Sequence, residues 1–149
     1  PLLQNGKPFA FLRRPSCNLT DPAFSPDGTR VAYSSDESGH FEVYISPFVG
    51  GGKWQVSAGG GTDPAWAPDG KRLYFVDASE DILYVDVRTA GTAVALNKPV
   101  RFAKNATFSM RRPIAVAPDG RLLVDGHNDE PTPAPAITLV TNWPAVLKR

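Results

Sequence analysis

The tripeptide Pro-Asp-Gly occurs three times in the chain, at residues 26–28, 68–70 and 118–120. Each copy follows an alanine and an apolar or aromatic residue, and each precedes a short run of β-branched, aromatic or leucine residues. The copies are spaced by 42 and 50 residues, a period at which repeat proteins place one supersecondary unit per repeat. The chain is therefore expected to fold as a series of similar units.

The tripeptide itself predicts a hairpin turn. Proline sets φ for the second turn position, aspartate accepts hydrogen bonds from nearby backbone, and glycine takes the left-handed conformation that leads into the next strand. A single Pro-Asp-Gly is weak evidence, because such turns are common. Three copies in the same frame make a strong signal for strand-turn-strand units.

The flanking residues predict four strands in about 36 residues, the size of one propeller blade. With 15 prolines and 13 glycines the chain has little room for long helices. We predict an all-β fold of about three four-stranded antiparallel blades, either an incomplete ring or half of a dimeric ring. The predicted strands are 7–12, 22–25, 30–35, 41–45, 53–57, 63–67, 72–76, 82–87, 100–102, 113–117, 122–124 and 137–141.

These strands divide residues 1–149 into the outer strand of a preceding blade (1–17), blade 1 (18–58), blade 2 (59–104) and blade 3 with a C-terminal tail (105–149). Three blades do not close a ring, since closed propellers have four to eight. Either a preceding blade completes the ring, or two chains combine into six blades. We expect a homo-oligomer, a dimer completing the ring, and a chain that begins at Pro1 without methionine is expected to be part of a longer protein.

Composition excludes several classes of function. Lys and Arg number 16 against 15 Asp and Glu, so no overall field favours nucleic acid. The single cysteine, Cys17, excludes an internal disulfide framework. The sequence contains no apolar stretch of 18 residues and no targeting signal, and we expect no membrane insertion by this segment.

The repeats resemble the PD40 (WD40-like, TolB-type) β-propeller family. The resemblance rests on the Phe/Trp-Ser/Ala-Pro-Asp-Gly frame and on strands such as residues 42–45. It is closest to the C-terminal propellers of bacterial, acidobacterial-type transmembrane serine/threonine kinases. The stretches similar to that group are residues 35–39, 42–48, 52–61 and 142–148.

The resemblance implies a module for sensing or protein–protein interaction, extracytoplasmic or periplasmic in the parent protein. A protein or peptide partner is implied, and no catalytic residue or cofactor is. Kinase motifs are absent, since the sequence has no glycine-rich ATP loop, His-Arg-Asp or Asp-Phe-Gly. The stretched third interval and the count of three repeats depart from the family pattern.

Few residues indicate a site. We interpret Gly59-Gly60-Gly61 as an inter-blade turn, because it lacks the Lys-Ser/Thr of a phosphate loop. His40 and His127 lack metal-ligand spacing, and the acidic cluster Asp125–Glu130 lacks that of a calcium loop. The following residues are predicted to be structural: the turn aspartates Asp27, Asp69 and Asp119, and the strand aromatics Trp54, Trp66 and Trp143. The arginine pairs 13–14 and 111–112 could form a basic patch near one face, but four arginines in a neutral chain do not indicate a nucleic-acid site.

The sequence therefore predicts a non-catalytic β-propeller module with no catalytic, cofactor-binding or metal-binding residue, which binds its partner across the top face or the central channel. Two alternatives stay open. The chain is an accessory propeller of a prolyl oligopeptidase-like peptidase, or it binds carbohydrate or peptide in its own right. The first needs a hydrolase domain in the parent gene, and the second needs an exposed stacking surface.

Overall fold

The structure, a computed structural model, describes residues 10–12, 15–91, 93–104 and 114–124. Within these ranges every regular element is a β-strand, as the sequence predicts. Three antiparallel sheets follow one another along the chain, and each begins with a strand, a Pro-Asp-Gly turn and a second strand. We call them sheets 1, 2 and 3.

Sheet 1 contains four strands in chain order. They are β1 (Leu19–Phe24), β2 (Arg30–Ser35), β3 (Glu42–Pro47) and β4 (Trp54–Gln55). The strand predicted at 30–35 coincides with β2. The strand predicted at 53–57 is longer than β4, which has two residues. Strands β2 and β3 are buried along their whole length, because both faces of the sheet are covered.

Sheet 2 contains five strands. They are β5 (Thr62–Trp66), β6 (Arg72–Val76), β7 (Ile82–Ala90), β8 (Ala93–Leu96) and β9 (Val100–Ala103). The first half of β7 pairs with β9, and its second half extends beyond the sheet and pairs with β8. The sequence analysis did not predict β8, because its alanine-rich sequence has low β-propensity.

Sheet 3 is described through two short strands, β10 (Ala115–Val116) and β11 (Leu122–Leu123). The predicted strand 137–141 lies outside the described residues. So do residues 7–9 of the first predicted strand. The described remainder of that strand, residues 10–12, is not in β-structure, so the prediction is wrong for these residues.

Two apolar clusters join the sheets. The first lies between sheets 1 and 2 and includes Ile45 and Val43 on one side and Trp66, Leu73 and Phe75 on the other. The second lies between sheets 2 and 3 and is formed by the opposite face of sheet 2, with residues of β10 and β11 packed against it. The sheets thus stack face to face in the manner of propeller blades.

Candidate functional site

Each Pro-Asp-Gly turn is closed by two hydrogen bonds. The glycine amide donates to the carbonyl three residues earlier, at 2.8 Å from Gly28 to Ser25 and at 2.9 Å in the other two turns. The aspartate Oδ1 accepts the amide two residues later, at 3.0 Å from Thr29 and Lys71 and 3.2 Å from Arg121. One oxygen of each turn aspartate is therefore used within its own turn.

The three turns line one open cavity of about 1130 Å³. We call it the turn-face cavity. Its walls are completed by the second strands and by the part of β7 that extends beyond the sheet. The main lining side chains outside the turns are Arg30, Arg72, Tyr74, Asp86 and Arg88. The repeat thus brings turns that are 42 and 50 residues apart in sequence to one concave surface.

Two of the three turn aspartates, Asp27 and Asp119, accept hydrogen bonds from donors that lower their pKa. The Ser25 hydroxyl, at 2.5 Å, and the Thr29 amide lower the pKa of Asp27 to about 2. The Arg121 side chain donates from Nε to Asp119 Oδ2 at 2.7 Å and lowers the pKa of that carboxyl. In these two turns the second carboxylate oxygen also faces an arginine.

Sheet 2 departs from this arrangement. The Arg72 Nε lies 3.2 Å from Asp86 Oδ1, and its guanidinium lies 4.1 Å from the centre of the Tyr84 ring. Asp69 therefore has no arginine partner among the described residues. Lys71 and Arg88 are exposed, and neither side chain forms an ion pair with another described residue. The cavity consequently offers both an acceptor and cations to a ligand.

A second, smaller cleft of about 500 Å³ runs along the first strands of the three sheets. Asp21 and Asp63 occupy equivalent positions in it, with φ of 52° and 53°, and each precedes a proline at a β-bulge. Left-handed backbone at a non-glycine residue is unfavourable and is maintained here twice. The signal in the sequence is Thr-Asp-Pro-Ala at 20–23 and 62–65, which the turn-based analysis missed.

A buried carboxylate joins sheet 1 to the segment leading into sheet 2. The Glu42 side chain is 1% exposed, and its Oε1 accepts the amides of Gly59 at 2.8 Å and Gly60 at 3.0 Å. The Ser57 hydroxyl donates to Oε2, and His40 Nε2 lies 2.7 Å from Oε1. Burial raises the pKa of Glu42, but these donors outweigh it and the net pKa is lowered.

The glycine-rich segment therefore does bind an anion, and that anion is the protein's own Glu42. The interpretation as an inter-blade turn was right about its position and missed this contact. Gly61 is required by close packing, since a Cβ there would lie 2.3 Å from Ser57 Oγ and 2.7 Å from Ser57 Cβ. The sequence carries no local signal for this contact, because Glu42 precedes Gly59 and Gly60 by 17 and 18 residues.

The singled-out tryptophans of the described ranges are packing residues, although Trp66 also lines both cavities. Trp54 packs at the edge of the first apolar cluster, and Trp66 is buried in it. The described ranges contain no group of three metal-ligating side chains and no helix long and apolar enough to cross a membrane. Several predicted residues lie outside the described ranges: His127, Trp143, the 125–130 cluster and the arginine pairs.

No family model matches the sequence, and no curated protein matches it. Solved structures do match. TolB from Acinetobacter baumannii aligns with a TM-score of 0.55 and 21% identity over 73% of this chain and 27% of TolB. A protein from Bacteroides uniformis ATCC 8492, named as a candidate 6-phosphogluconolactonase, aligns with a TM-score of 0.46 and 19% identity. That alignment covers 72% of this chain and 36% of the Bacteroides protein.

The chain thus spans about a quarter of the length of the TolB structure that it matches. Together with the three stacked antiparallel sheets, the first alignment shows the fold. The chain has a TolB-like β-propeller fold.

Proposed function

We propose that this chain is a non-catalytic interaction module that binds a protein or peptide partner at the turn-face cavity. The observation that carries the proposal is the convergence of all three Pro-Asp-Gly turns on one cavity of about 1130 Å³. Such a surface presents short loops from a rigid scaffold, which is how propellers and other repeat folds build binding sites.

The charges of the cavity favour a peptide over a uniformly charged ligand. Lys71 and Arg88 are exposed cations next to the acceptor Asp69, so neighbouring positions attract opposite charges. A peptide with acidic and basic side chains complements such a surface, whereas a nucleic acid backbone meets repulsion from the aspartates.

The aromatic residues of the cavity argue against a sugar site. Trp66 and Tyr74 line it but are only 8% and 4% exposed, so their ring faces are covered. Tyr84 is covered by the Arg72 guanidinium. Sugar recognition by stacking requires an open aromatic face, which these side chains do not offer.

The resemblance to kinase-associated propellers supports a finer proposal for the parent protein. The chain is the C-terminal part of a larger, receptor-like kinase, and the propeller lies in the extracytoplasmic or periplasmic space. Its partner then reports an external signal to the kinase.

Binding to an array of 15-residue peptides tests the proposal, followed by fluorescence anisotropy with the best binder. We expect Arg88→Glu and Lys71→Glu each to weaken binding at least tenfold. Lys98→Glu is the matched control, because Lys98 is exposed and does not line the cavity. A bound peptide that both cavity variants leave unaffected, or binding only on a glycan array, would overturn the proposal.

A further inference from the structure

The three turns share the dipeptide Asp-Gly, which is chemically reactive. Glycine has no Cβ, so its amide nitrogen is little hindered and can attack the side-chain carboxyl of the preceding aspartate. A cyclic succinimide forms first, and its hydrolysis gives an isoaspartyl residue. Asp27, Asp69 and Asp119 each precede a glycine and are exposed, so the chain has three candidate positions for one modification.

The backbone of the three turns is alike at this dipeptide. The glycine amide donates to the carbonyl three residues earlier, at 2.8 Å in the first turn and 2.9 Å in the other two. The φ angles of Gly28, Gly70 and Gly120 are 68°, 68° and 84°. A difference in reactivity among the turns therefore comes from the groups that hold the three carboxylates.

The first turn holds its carboxylate with several donors. Asp27 Oδ1 accepts the Ser25 hydroxyl at 2.5 Å and the amide and hydroxyl of Thr29 at 3.0 Å and 2.9 Å. Its Oδ2 lies 3.7 Å from Arg30 Nη1. Ser25 Oγ, which is buried, also accepts the Arg30 amide at 2.9 Å. Opening this turn therefore breaks several bonds at once.

The third turn holds its carboxylate with one arginine. The Arg121 amide donates to Asp119 Oδ1 at 3.2 Å, and the Arg121 Nε donates to Oδ2 at 2.7 Å. Both carboxylate oxygens are therefore bound by the residue that follows the dipeptide.

The second turn holds its carboxylate least. Among the described residues, Asp69 accepts one hydrogen bond, from the Lys71 amide at 3.0 Å. The position of the buried serine is taken by Ala67, which has no hydroxyl. The nearby arginine, Arg72, donates to Asp86 instead. The Asp69 carboxylate thus lacks a side-chain donor from this part of the chain.

We propose that Asp69-Gly70 is the dipeptide at which the folded chain isomerises first, because its carboxylate lacks the side-chain partners of the other two. The Gly70 nitrogen attacks Cγ of the protonated Asp69 carboxyl. The N–Cγ bond forms, and the carboxyl hydroxyl leaves with the amide proton as water. Water then cleaves the bond between that nitrogen and the Asp69 α-carbonyl carbon. The main chain now continues through Cγ, the α-carboxyl is free, and the mass is unchanged.

The partners of the other two aspartates oppose the first step, because the protonated carboxyl is the form that loses water. Their donors lower the pKa of Asp27 to about 2 and also lower that of Asp119, so both carboxyls are rarely protonated near neutral pH. Each additional charge-assisted hydrogen bond should slow the reaction about tenfold.

The modification changes the wall of the turn-face cavity, since both Asp69 and Gly70 line it. One carbon is added to the main chain of the turn, and the free carboxylate moves to a new position. The reaction needs no ligand in the cavity, so it is independent of the proposed peptide binding.

Ageing of the folded chain near neutral pH tests the proposal. Peptide mapping locates isoaspartate, and methylation by an isoaspartyl methyltransferase quantifies it. We expect isoaspartate to accumulate at residue 69 about tenfold faster than at residues 27 and 119. In the urea-unfolded chain the three sites should react at similar rates, since each is followed by glycine. Reaction at residue 27 or 119 as fast as at residue 69 in the folded chain, or none at residue 69, would overturn the proposal.

Exchanging the residue after the dipeptide tests the cause at constant charge. Lys71→Arg gives the second turn the side chain of the third and should slow the reaction at Asp69 about tenfold, and Arg121→Lys should accelerate it at Asp119 by a similar factor. Asp69→Glu should show no reaction at this position, because its longer side chain does not form the five-membered ring. Circular dichroism before ageing establishes that each variant is folded. Unchanged rates after both exchanges contradict protection by the side-chain partners.

Discussion

Sheets 1 and 2 share the Thr-Asp-Pro-Ala entry, the Pro-Asp-Gly turn and the pairing of their first three strands. They differ in how the start of the third strand is held. In sheet 1, the buried Glu42 accepts hydrogen bonds from two backbone amides and a serine hydroxyl. In sheet 2 the equivalent residue is Asp81, also buried, whose Oδ2 lies 2.5 Å from the Nε of the half-exposed Arg101.

The comparison shows a feature that both sheets share, since each buries an acidic residue at this position. The described contacts of Glu42 are with the linker that leads into sheet 2, and that of Asp81 is with Arg101 of β9. The junction between sheets 1 and 2 is therefore fixed by a buried polar contact at one end and by Trp66 at the other. Phe24 ends the first strand of sheet 1 as Trp66 ends that of sheet 2. Phe24 is 44% exposed, whereas Trp66 is buried at the junction.

The largest effect is expected from truncating the aromatic residue at the end of the first strand. Trp66→Ala should lower the free energy of unfolding by about 4 kcal/mol, because it leaves a cavity at the junction and removes the bond to Ala23. Phe24→Ala should cost about 1.5 kcal/mol, since that ring is half exposed. Urea unfolding at concentrations where the chain is monomeric measures both. Equal losses would contradict the claim that Trp66, unlike Phe24, stabilises a junction between sheets.

The second prediction concerns the buried carboxylates. Glu42→Gln should cost about 3 kcal/mol, because it removes the charge and sets an amide against the Ser57 and Gly60 donors. The ion pair that Asp81→Asn removes, with the half-exposed Arg101, should account for no more than about 1 kcal/mol of the loss in that variant.

Glu37→Gln provides the control for a charge change on the same part of sheet 1. Glu37 pairs with the partly exposed Lys53, and that ion pair should account for less than about 1 kcal/mol of any loss. A loss for Glu42→Gln as small as that for Glu37→Gln would show that the buried contact contributes little to stability.

The sequence predicts the turn-centred half of each repeat well. The second strands were expected at 30–35 and 72–76 and are found at Arg30–Ser35 and Arg72–Val76. Proline and glycine act locally at these turns, and the β-branched and aromatic runs that follow leave little choice of register. The all-β fold and the propeller-like stacking follow from the same repeat.

The remainder depends on contacts between distant residues. Glu42 and its amide donors are 17 and 18 residues apart, and local propensity gives no reason to bring them together. The β7–β8 hairpin was missed because its alanines gain β-structure only when Val94 and Leu96 pack against the first apolar cluster. The turn-face cavity likewise requires the sheets to be stacked before its residues meet.

The pH dependence of stability tests the Glu42 contact directly. The pKa of Glu42 is lower in the folded chain, so its contribution is fully present above its unfolded pKa, about 4.3, and is lost as pH falls through the folded value. The difference in unfolding free energy between the unmodified chain and Glu42→Gln should therefore shrink as pH falls below that unfolded pKa. Asp27, Asp36 and Asp119 have lowered pKa values too, but they titrate in both proteins. A constant difference would contradict an ionised Glu42.

The smallest effect is expected at the arginines of the second strands. Arg30 is 8% exposed and its Nη2 donates to the Gly91 carbonyl at 2.8 Å, which connects sheet 1 to the β7–β8 hairpin. Arg72, its equivalent, bonds only within sheet 2, to Asp86. Arg30→Met should cost about 1 kcal/mol and Arg72→Met about 0.5 kcal/mol, since the first loses a buried charged donor and the second a half-exposed one.

Hydrogen exchange distinguishes the two arginine variants better than global stability does. The amides of β8 (Ala93–Leu96) should exchange faster in Arg30→Met and stay unchanged in Arg72→Met, because only Arg30 crosses from sheet 1 to the hairpin. The turn-face cavity shares residues with this hairpin, Val87, Arg88 and Thr89 among them. Unchanged exchange in both variants would mean that apolar packing alone holds the hairpin against sheet 1, so that Arg30 positions nothing at the cavity wall.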